Sequence, residues 1–207
     1  MRNLKTSIFS SNPPGITEIL SQKKAFIAGA GGLGSNLAIM LARAGIGTLI
    51  ICDFDIVLES NLNRQAYFLN QINKAKVDSL KDNISNINPF CNVITIREKL
   101  NSTNFSKFIP QNINIAFECF DDSLAKSEIF TYFRKNMTSI PLIVVSGLAG
   151  IGPAKDIKIK KLHNNIWLIG DEKSEVNQST GTISTRVMIA ASLQAHAGIR
   201  ILLGYEP

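Results

Sequence analysis

Fold choice is constrained most by the run Lys24 to Gly34, KAFIAGAGGLG, in which a short apolar stretch leads into a G-x-G-x-x-G pattern. Apolar residues then recur on a helical period through LGSNLAIMLARAG, with Gly45 as the stop. Strand, tight turn and helix in that order put backbone N–H groups and a helix N-terminus where a phosphate can sit. The loop residues are Gly29, Gly31, Gly32 and Gly34. A buried strand is expected at 48–52 (TLIIC), with Asp53 at its end. The spacing from the last glycine suits a carboxylate that accepts hydrogen bonds from both ribose hydroxyls. Up to this point the residues describe a nicotinamide dinucleotide enzyme.

The remaining pattern sets the fold class. A helix is expected over 74–87, strands over 92–97 and 113–118, a helix over 123–136 and a strand over 141–146. Such alternation predicts an α/β, Rossmann-like, doubly wound and mostly parallel sheet. Residues 156–161 alternate polar with apolar and are expected to pair antiparallel with 165–169 as a C-terminal extension. The polar stretch Asp171 to Thr182 lacks periodicity and reads as a mobile crossover loop, followed by a buried helix, Ile183 to Leu203. These elements make one domain over 23–207, preceded by an N-terminal arm over 1–22.

Composition excludes several classes. With 207 residues, 45% hydrophobic and 18% charged, the chain can bury a sizeable core. Its most apolar stretch, 183–203, carries Arg186, Gln194, His196 and Arg200, which argues against a membrane span. The N-terminus lacks the apolar run of a secretory signal, so a cytoplasmic protein is expected. Cys52, Cys91 and Cys119 form no C-x-x-C pair, and each reads as a small buried hydrophobe. A net charge of +6 without clustered basic residues makes nucleic acid an unlikely main ligand.

The segment after Asp53 changes the expected ligand. Ser60, Asn61, Asn63 and Gln65 supply polar donors, and Arg64 a cation, just past the ribose position. A triphosphate needs such fixed donors, and a planar guanidinium can hold phosphate oxygens while charge builds on leaving pyrophosphate. Lys76, near the start of the next helix, supplies a second positive charge. A single basic residue is more often part of a solvated face; here both stand within a motif.

GAGGLGSN, DFDIVLESNLNRQ, the lysine in KAKVDSL, and SNINP resemble the ThiF and MoeB family of the ubiquitin-activating-enzyme superfamily. SGLAGIG, WLIGD and TRVMIAASLQAHAGIRILLG are similar to short ThiF-type proteins of thiamine biosynthesis. The resemblance implies that Gly32 approaches the nucleotide, Asp53 binds ribose, Asn61, Arg64 and Gln65 surround the phosphates, and Lys76 is the phosphate lysine. It makes Asp121 the magnesium ligand. Asp122 stands where relatives often have asparagine, and either contacts nucleotide or caps the helix over 123–136. The implied reaction is attack of a carrier's C-terminal glycine carboxylate on the α-phosphate of ATP, giving an acyl-adenylate and pyrophosphate. The implied partner is a ubiquitin-like sulfur carrier ending in Gly-Gly, of the ThiS type, and the implied assembly is a homodimer in which Arg2 of one subunit is a candidate to reach the other's phosphates.

Three departures from the family pattern bear on this reading. Paired C-x-x-C ligands are missing, so no structural zinc is expected. Residues 120–207 hold no cysteine, so no persulfide or thioester step is expected there. The family's I-G-x-x-K has become Ile72 to Lys76 with Asn73 at the turn, a residue that tolerates positive φ better than most. Competing readings are a molybdopterin-carrier adenylyltransferase, a tRNA threonylcarbamoyladenosine dehydratase, a non-catalytic module that binds a ubiquitin-like protein, and an NAD oxidoreductase. The last would need an acid or base from His163 or His196, and His196 is expected in the core.

Overall fold

The computed structural model describes residues 4–177 and 180–207, so Arg2 and the loop residues Gln178 and Ser179 lie outside the described residues. The strands are β1 (Lys24–Ala28), β2 (Thr48–Cys52), β3 (Asn92–Ile96), β4 (Ile115–Glu118), β5 (Leu142–Val145), β6 (Lys158–His163) and β7 (Ile166–Gly170). They form one sheet in the order β3-β2-β1-β4-β5-β7-β6. Every pairing is parallel except β6 with β7, at the C-terminal edge, as the alternation over 156–161 predicts. The helices are α1 (Leu4–Ile8), α2 (Ile16–Leu20), α3 (Gly32–Ala44), α4 (Lys76–Ser85), α5 (Phe105–Phe108), α6 (Ser123–Asn136) and α7 (Ser184–Leu202).

Period-two alternation sends the central strands' side chains into two cores. Ala25 and Ile27 of β1, Leu49 and Ile51 of β2, and Ile115 and Phe117 of β4 join the core under α3, α4 and α7. Phe26 and Ala28, Ile50 and Cys52, and Ala116 join the core that also holds Phe105 of α5 and Ile129 and Phe133 of α6. With both faces covered, the strands read as continuous apolar runs. Chain order reverses at β1, which pairs with β2 on one side and β4 on the other. A doubly wound sheet opens its ligand crevice at the C-terminal ends of such strands; here these ends are the glycine loop and residues 119–121.

Helix α7 finds its cover within the chain. It lies along α3 and over β4, β5 and β7, and approaches β4 so closely that a Cβ on Gly198 would stand 2.4 Å from the Phe117 ring. Its outer face carries Met188, Ser192 and His196, all exposed, at successive four-residue steps. His196, expected in the core, is therefore a surface residue. The apolar pattern around it follows α7's two buried contacts, and the residue falls on the remaining side.

The residues before β1 are tied down by α2. Leu20 is buried in the α3 core, and Asn12 Nδ2 donates to the Ala44 carbonyl at 3.1 Å and to Thr17 Oγ1 at 2.9 Å. Helix α4 starts at Lys76, later than its apolar period suggests. Residues 73–76 are first drawn onto 55–57 by bonds from Val57 N–H to the Lys74 carbonyl (2.9 Å) and from Lys76 N–H to the Asp55 carbonyl (3.0 Å). Asn73 sits at φ +67°, so the substituted turn keeps the left-handed conformation.

Candidate active site

Two backbone contacts shape the glycine loop. Gly29 has φ +100°, and a Cβ there would lie 2.7 Å from the Cys119 carbonyl, because the end of β4 presses on the loop. At Gly34 a Cβ would lie 1.9 Å from the Gly29 carbonyl, so the first turn of α3 folds directly over the turn that precedes it. Neither the Gly31 nor the Gly32 N–H has an acceptor among the described residues. Unpaired amides at a helix N-terminus are the donors an anion uses.

Asp53, at the end of β2, is 9% exposed. Its Oδ2 accepts the Ala30 N–H at 2.6 Å and its Oδ1 accepts the Asp55 N–H at 2.8 Å. Burial raises its pKa above the ordinary carboxylate value, opposed by these two N–H groups and by the charge of Lys76. Each carboxylate oxygen keeps acceptor capacity beyond its one backbone donor.

The segment 58–67 is sutured to the loop by side chains that the sequence motif contains without explaining. Ser35 Oγ donates to the Gly31 carbonyl at 2.7 Å and accepts the Ala66 N–H at 3.0 Å. Asn36 Nδ2 donates to the Gly32 carbonyl at 2.7 Å and to the Arg64 carbonyl at 2.9 Å. Asn61 is buried, with Oδ1 accepting the Leu58 N–H at 3.0 Å and its carbonyl accepting the N–H groups of Arg64 and Gln65. These bonds lay the Arg64 stem against Gly32, whose Cβ would stand 3.6 Å from Arg64 Cγ.

The Arg64 guanidinium donates to the Ser60 carbonyl at 3.1 Å and to Asn63 Oδ1 at 2.8 Å, so Ser60 and Asn63 orient the cation. Gln65 is 9% exposed; its Nε2 faces Gly31, and its Oε1 has no partner within the described chain. A buried amide oxygen left unpaired beside a glycine loop marks a place built for a ligand's polar atoms. Lys76 is buried and its Nζ donates a hydrogen bond to Asp55 Oδ2 at 2.7 Å. Asp55 was not singled out in the sequence, although its D-x-D spacing from Asp53 is the signal that could have found it.

Across the crevice, the β4 end carries the two aspartates. Asp122 is the N-cap of α6, its Oδ1 accepting the Ala125 N–H at 2.8 Å, so of its two expected roles capping is the one observed. Asp121 is exposed, three residues past the C-terminal end of the central strand β4. Beneath them lies Glu118, fully buried, which accepts the Phe120 N–H at 2.7 Å, the Val145 N–H at 3.2 Å and Lys126 Nζ at 2.8 Å. Lys126 also donates to the Val145 carbonyl at 3.0 Å. This pair ties the turn bearing Asp121 to the end of β5, and no spacing in the sequence announces it. Burial pushes the thiols of Cys52 and Cys91 up to about 12 and that of Cys119 higher still, so all three stay protonated and weakly nucleophilic.

The far rim is closed at the start of α7. Val187 touches Gly32, and Arg186, its side chain 4% exposed, donates to the Gly152 carbonyl and to Asp171 Oδ2. Burial pushes the Asp171 carboxyl up, but the N–H groups of Ser174 and Lys173 and the Arg186 guanidinium outweigh it and hold the group at about 2.

Residues 2–207 match the ThiF family. Molybdopterin-synthase adenylyltransferase of Haemophilus influenzae is 36% identical over 127 residues, covering 61% of this chain and 51% of that protein. tRNA threonylcarbamoyladenosine dehydratase of Escherichia coli is 30% identical over 141 residues, 68% of this chain and 52% of that protein. The chain thus spans about half the length of the curated relatives it matches. The solved structure of the E. coli dehydratase in complex with ATP superposes with a TM-score of 0.86 at 18% identity, covering 96% of this chain and 93% of that one, which shows the shared fold. On the match over nearly its whole length, the chain belongs to the ThiF family.

Proposed function

We propose that this chain is an ATP-dependent adenylyltransferase that activates the C-terminal glycine carboxylate of a ubiquitin-like sulfur carrier, releasing pyrophosphate. The carrying observation is the unpaired Gly31 and Gly32 N–H groups beside buried Asp53, with Arg64 and the unpartnered Gln65 oxygen fixed over the same loop. This set of donors and acceptors suits a nucleotide triphosphate: backbone amides donate to phosphate, a carboxylate accepts from ribose, and cations offset charge on the leaving group. Lys76 Nζ donates one hydrogen bond to Asp55 Oδ2, and its remaining donor capacity is free for phosphate oxygens.

In this reading the carrier carboxylate attacks the α-phosphate in line with pyrophosphate departure. No protein nucleophile takes part, and catalysis is positioning plus charge stabilisation by Arg64 and Lys76. Among the described residues no three His, Cys, Asp or Glu side chains gather to hold a metal. Magnesium at an ATP site takes most of its ligands from phosphate and water, so a single carboxylate suits it, and Asp121 would hold it. When bound, the ion neutralises phosphate charge.

The first carrier to assay is a ThiS-like protein of thiazole synthesis, for which the resemblance of SGLAGIG and WLIGD to ThiF-type proteins argues. The relative named for molybdopterin synthase makes a molybdopterin carrier the second. A second reading, adenylation of a tRNA-borne carboxylate, is favoured by the 30% identity to the E. coli dehydratase. We further propose a homodimer in the cytoplasm and a crossover stretch 171–182 that orders over the carrier tail. No helix among the described residues is long and apolar enough to cross a membrane. The deciding experiment incubates the chain with ATP, magnesium and each carrier or threonylcarbamoyladenosine tRNA, then weighs the acceptor for an added AMP. Pyrophosphate exchange without any acceptor responding, or no exchange at all, rejects the carrier assignment or the whole reading respectively.

A further inference from the structure

We propose that Tyr67 is a positioning residue that aims the Gly31 N–H at the nucleotide phosphates; this rests on the nucleotide reading given above. The Ala30 residue is gripped at both of its polar groups. Its N–H goes to Asp53 Oδ2 at 2.6 Å, and its carbonyl accepts the Tyr67 hydroxyl at 2.7 Å. The peptide from Ala30 to Gly31 is trans, since no cis bond occurs among the described residues, and a trans peptide is planar with its C=O and N–H pointing in opposite directions. Tyr67 is 5% exposed and belongs to the core beneath the loop, so it draws the Ala30 carbonyl inward. The Gly31 N–H must then point the other way, toward the crevice, where it has no acceptor among the described residues.

The same bond withholds the Ala30 carbonyl from α3, whose first turn closes from the Ser35 N–H to the Gly31 carbonyl at 3.0 Å. Without the hydroxyl, the 30–31 peptide could turn its carbonyl toward the crevice, replacing a donor to phosphate with an acceptor that repels it. The hydroxyl is a dependable donor because burial, followed by the nearby charges of Asp53 and Asp55, keeps it protonated far beyond neutral pH. Tyr67 is buried and its hydroxyl is spent on the Ala30 carbonyl, so it acts through the loop peptide, and it lies outside the glycine pattern and the polar run that follow from sequence.

Tyr67→Phe tests this by removing one oxygen and keeping the ring. Calorimetry with two probes, ATP and adenosine, separates positioning from general loosening. ATP binding is expected to weaken about five- to tenfold, on the scale of one hydrogen bond, while adenosine, which lacks phosphates, binds as before. Equal weakening for both probes, or unchanged ATP affinity in the folded variant, overturns the inference alone. No ATP binding by the unaltered chain overturns the nucleotide reading and this inference with it. Amide exchange on the unaltered chain gives a measurement that needs no variant. The Gly31 N–H is expected to exchange fast when free and at least about tenfold slower with ATP, while the Ala30 N–H stays protected throughout. A Gly31 N–H already protected in the free chain overturns the outward geometry.

Discussion

The Asp53 carboxylate accepts the Ala30 N–H at 2.6 Å, so the acid proposed to bind ribose is also a strut of the glycine loop. Its second oxygen holds the Asp55 N–H, and Asp55 in turn holds Lys76. The glycine loop, Asp55 and Lys76 are therefore mechanically coupled through the Asp53 side chain.

Asp53→Asn puts an amide NH2 against one of two backbone donors. We expect a loss of about 1 to 3 kcal/mol in stability together with at least about tenfold weaker ATP binding, read by denaturant melts and calorimetry. Weakened binding with an unchanged melt would separate the two roles and remove the strut.

Arg64 is half-buried, its guanidinium held by Ser60 and Asn63 and its stem against Gly32, and it is no part of the apolar core, so its removal leaves the core alone. Arg64→Ala is expected to melt within about 0.5 kcal/mol of the unaltered chain and to lower carrier-dependent pyrophosphate exchange at least about a hundredfold. Exchange at the original rate would reduce Arg64 to a surface charge.

The two aspartates at the β4 end should separate cleanly. Asp122→Asn keeps a good N-cap and is expected to be nearly silent, whereas Asp122→Ala costs about 1 kcal/mol of stability. Asp121→Asn is expected to leave the melt unchanged and to abolish magnesium-dependent activity. Magnesium titrations of exchange rate check this, and equal losses at both positions would contradict the assignment.

Asp171 stabilises the neck of the crossover stretch through Arg186. Removing it in Asp171→Ala strands a buried guanidinium and should cost about 3 kcal/mol at pH 7. The carboxyl is lowered from 3.8 to about 2, so its contribution is complete above about pH 4 and disappears as pH falls toward 2. Urea midpoints of the two proteins should converge over that window, and a gap that stays constant would exclude the ion pair as its source.

Sedimentation at micromolar concentration is expected to give about twice the 22.6 kDa chain mass. Because α7 is covered by α3 and the sheet, the dimer contact has to come from exposed apolar residues elsewhere, or from the outer face that carries Met188. A monomer would end the dimer proposal without touching the active site.

Sequence alone determined the sheet, because apolar runs of strand length alternating with amphipathic helices leave few other ways to bury both faces. It also determined the glycine loop and the acid after β2, whose chemistry depends on neighbours in the chain. Asn73 shows how far local reasoning reaches: its tolerance for positive φ is a property of the residue, and the turn takes φ +67°. What the tertiary structure decided are the partnerships between residues distant in sequence. Tyr67 reaches Ala30 across 37 positions and Gln194 reaches the Glu118 carbonyl across 76, and no local period encodes either contact. His196 was misjudged for the same reason. An apolar helix tells how much of itself must be buried, but only the placement of α3 and the sheet tells which side is left for water.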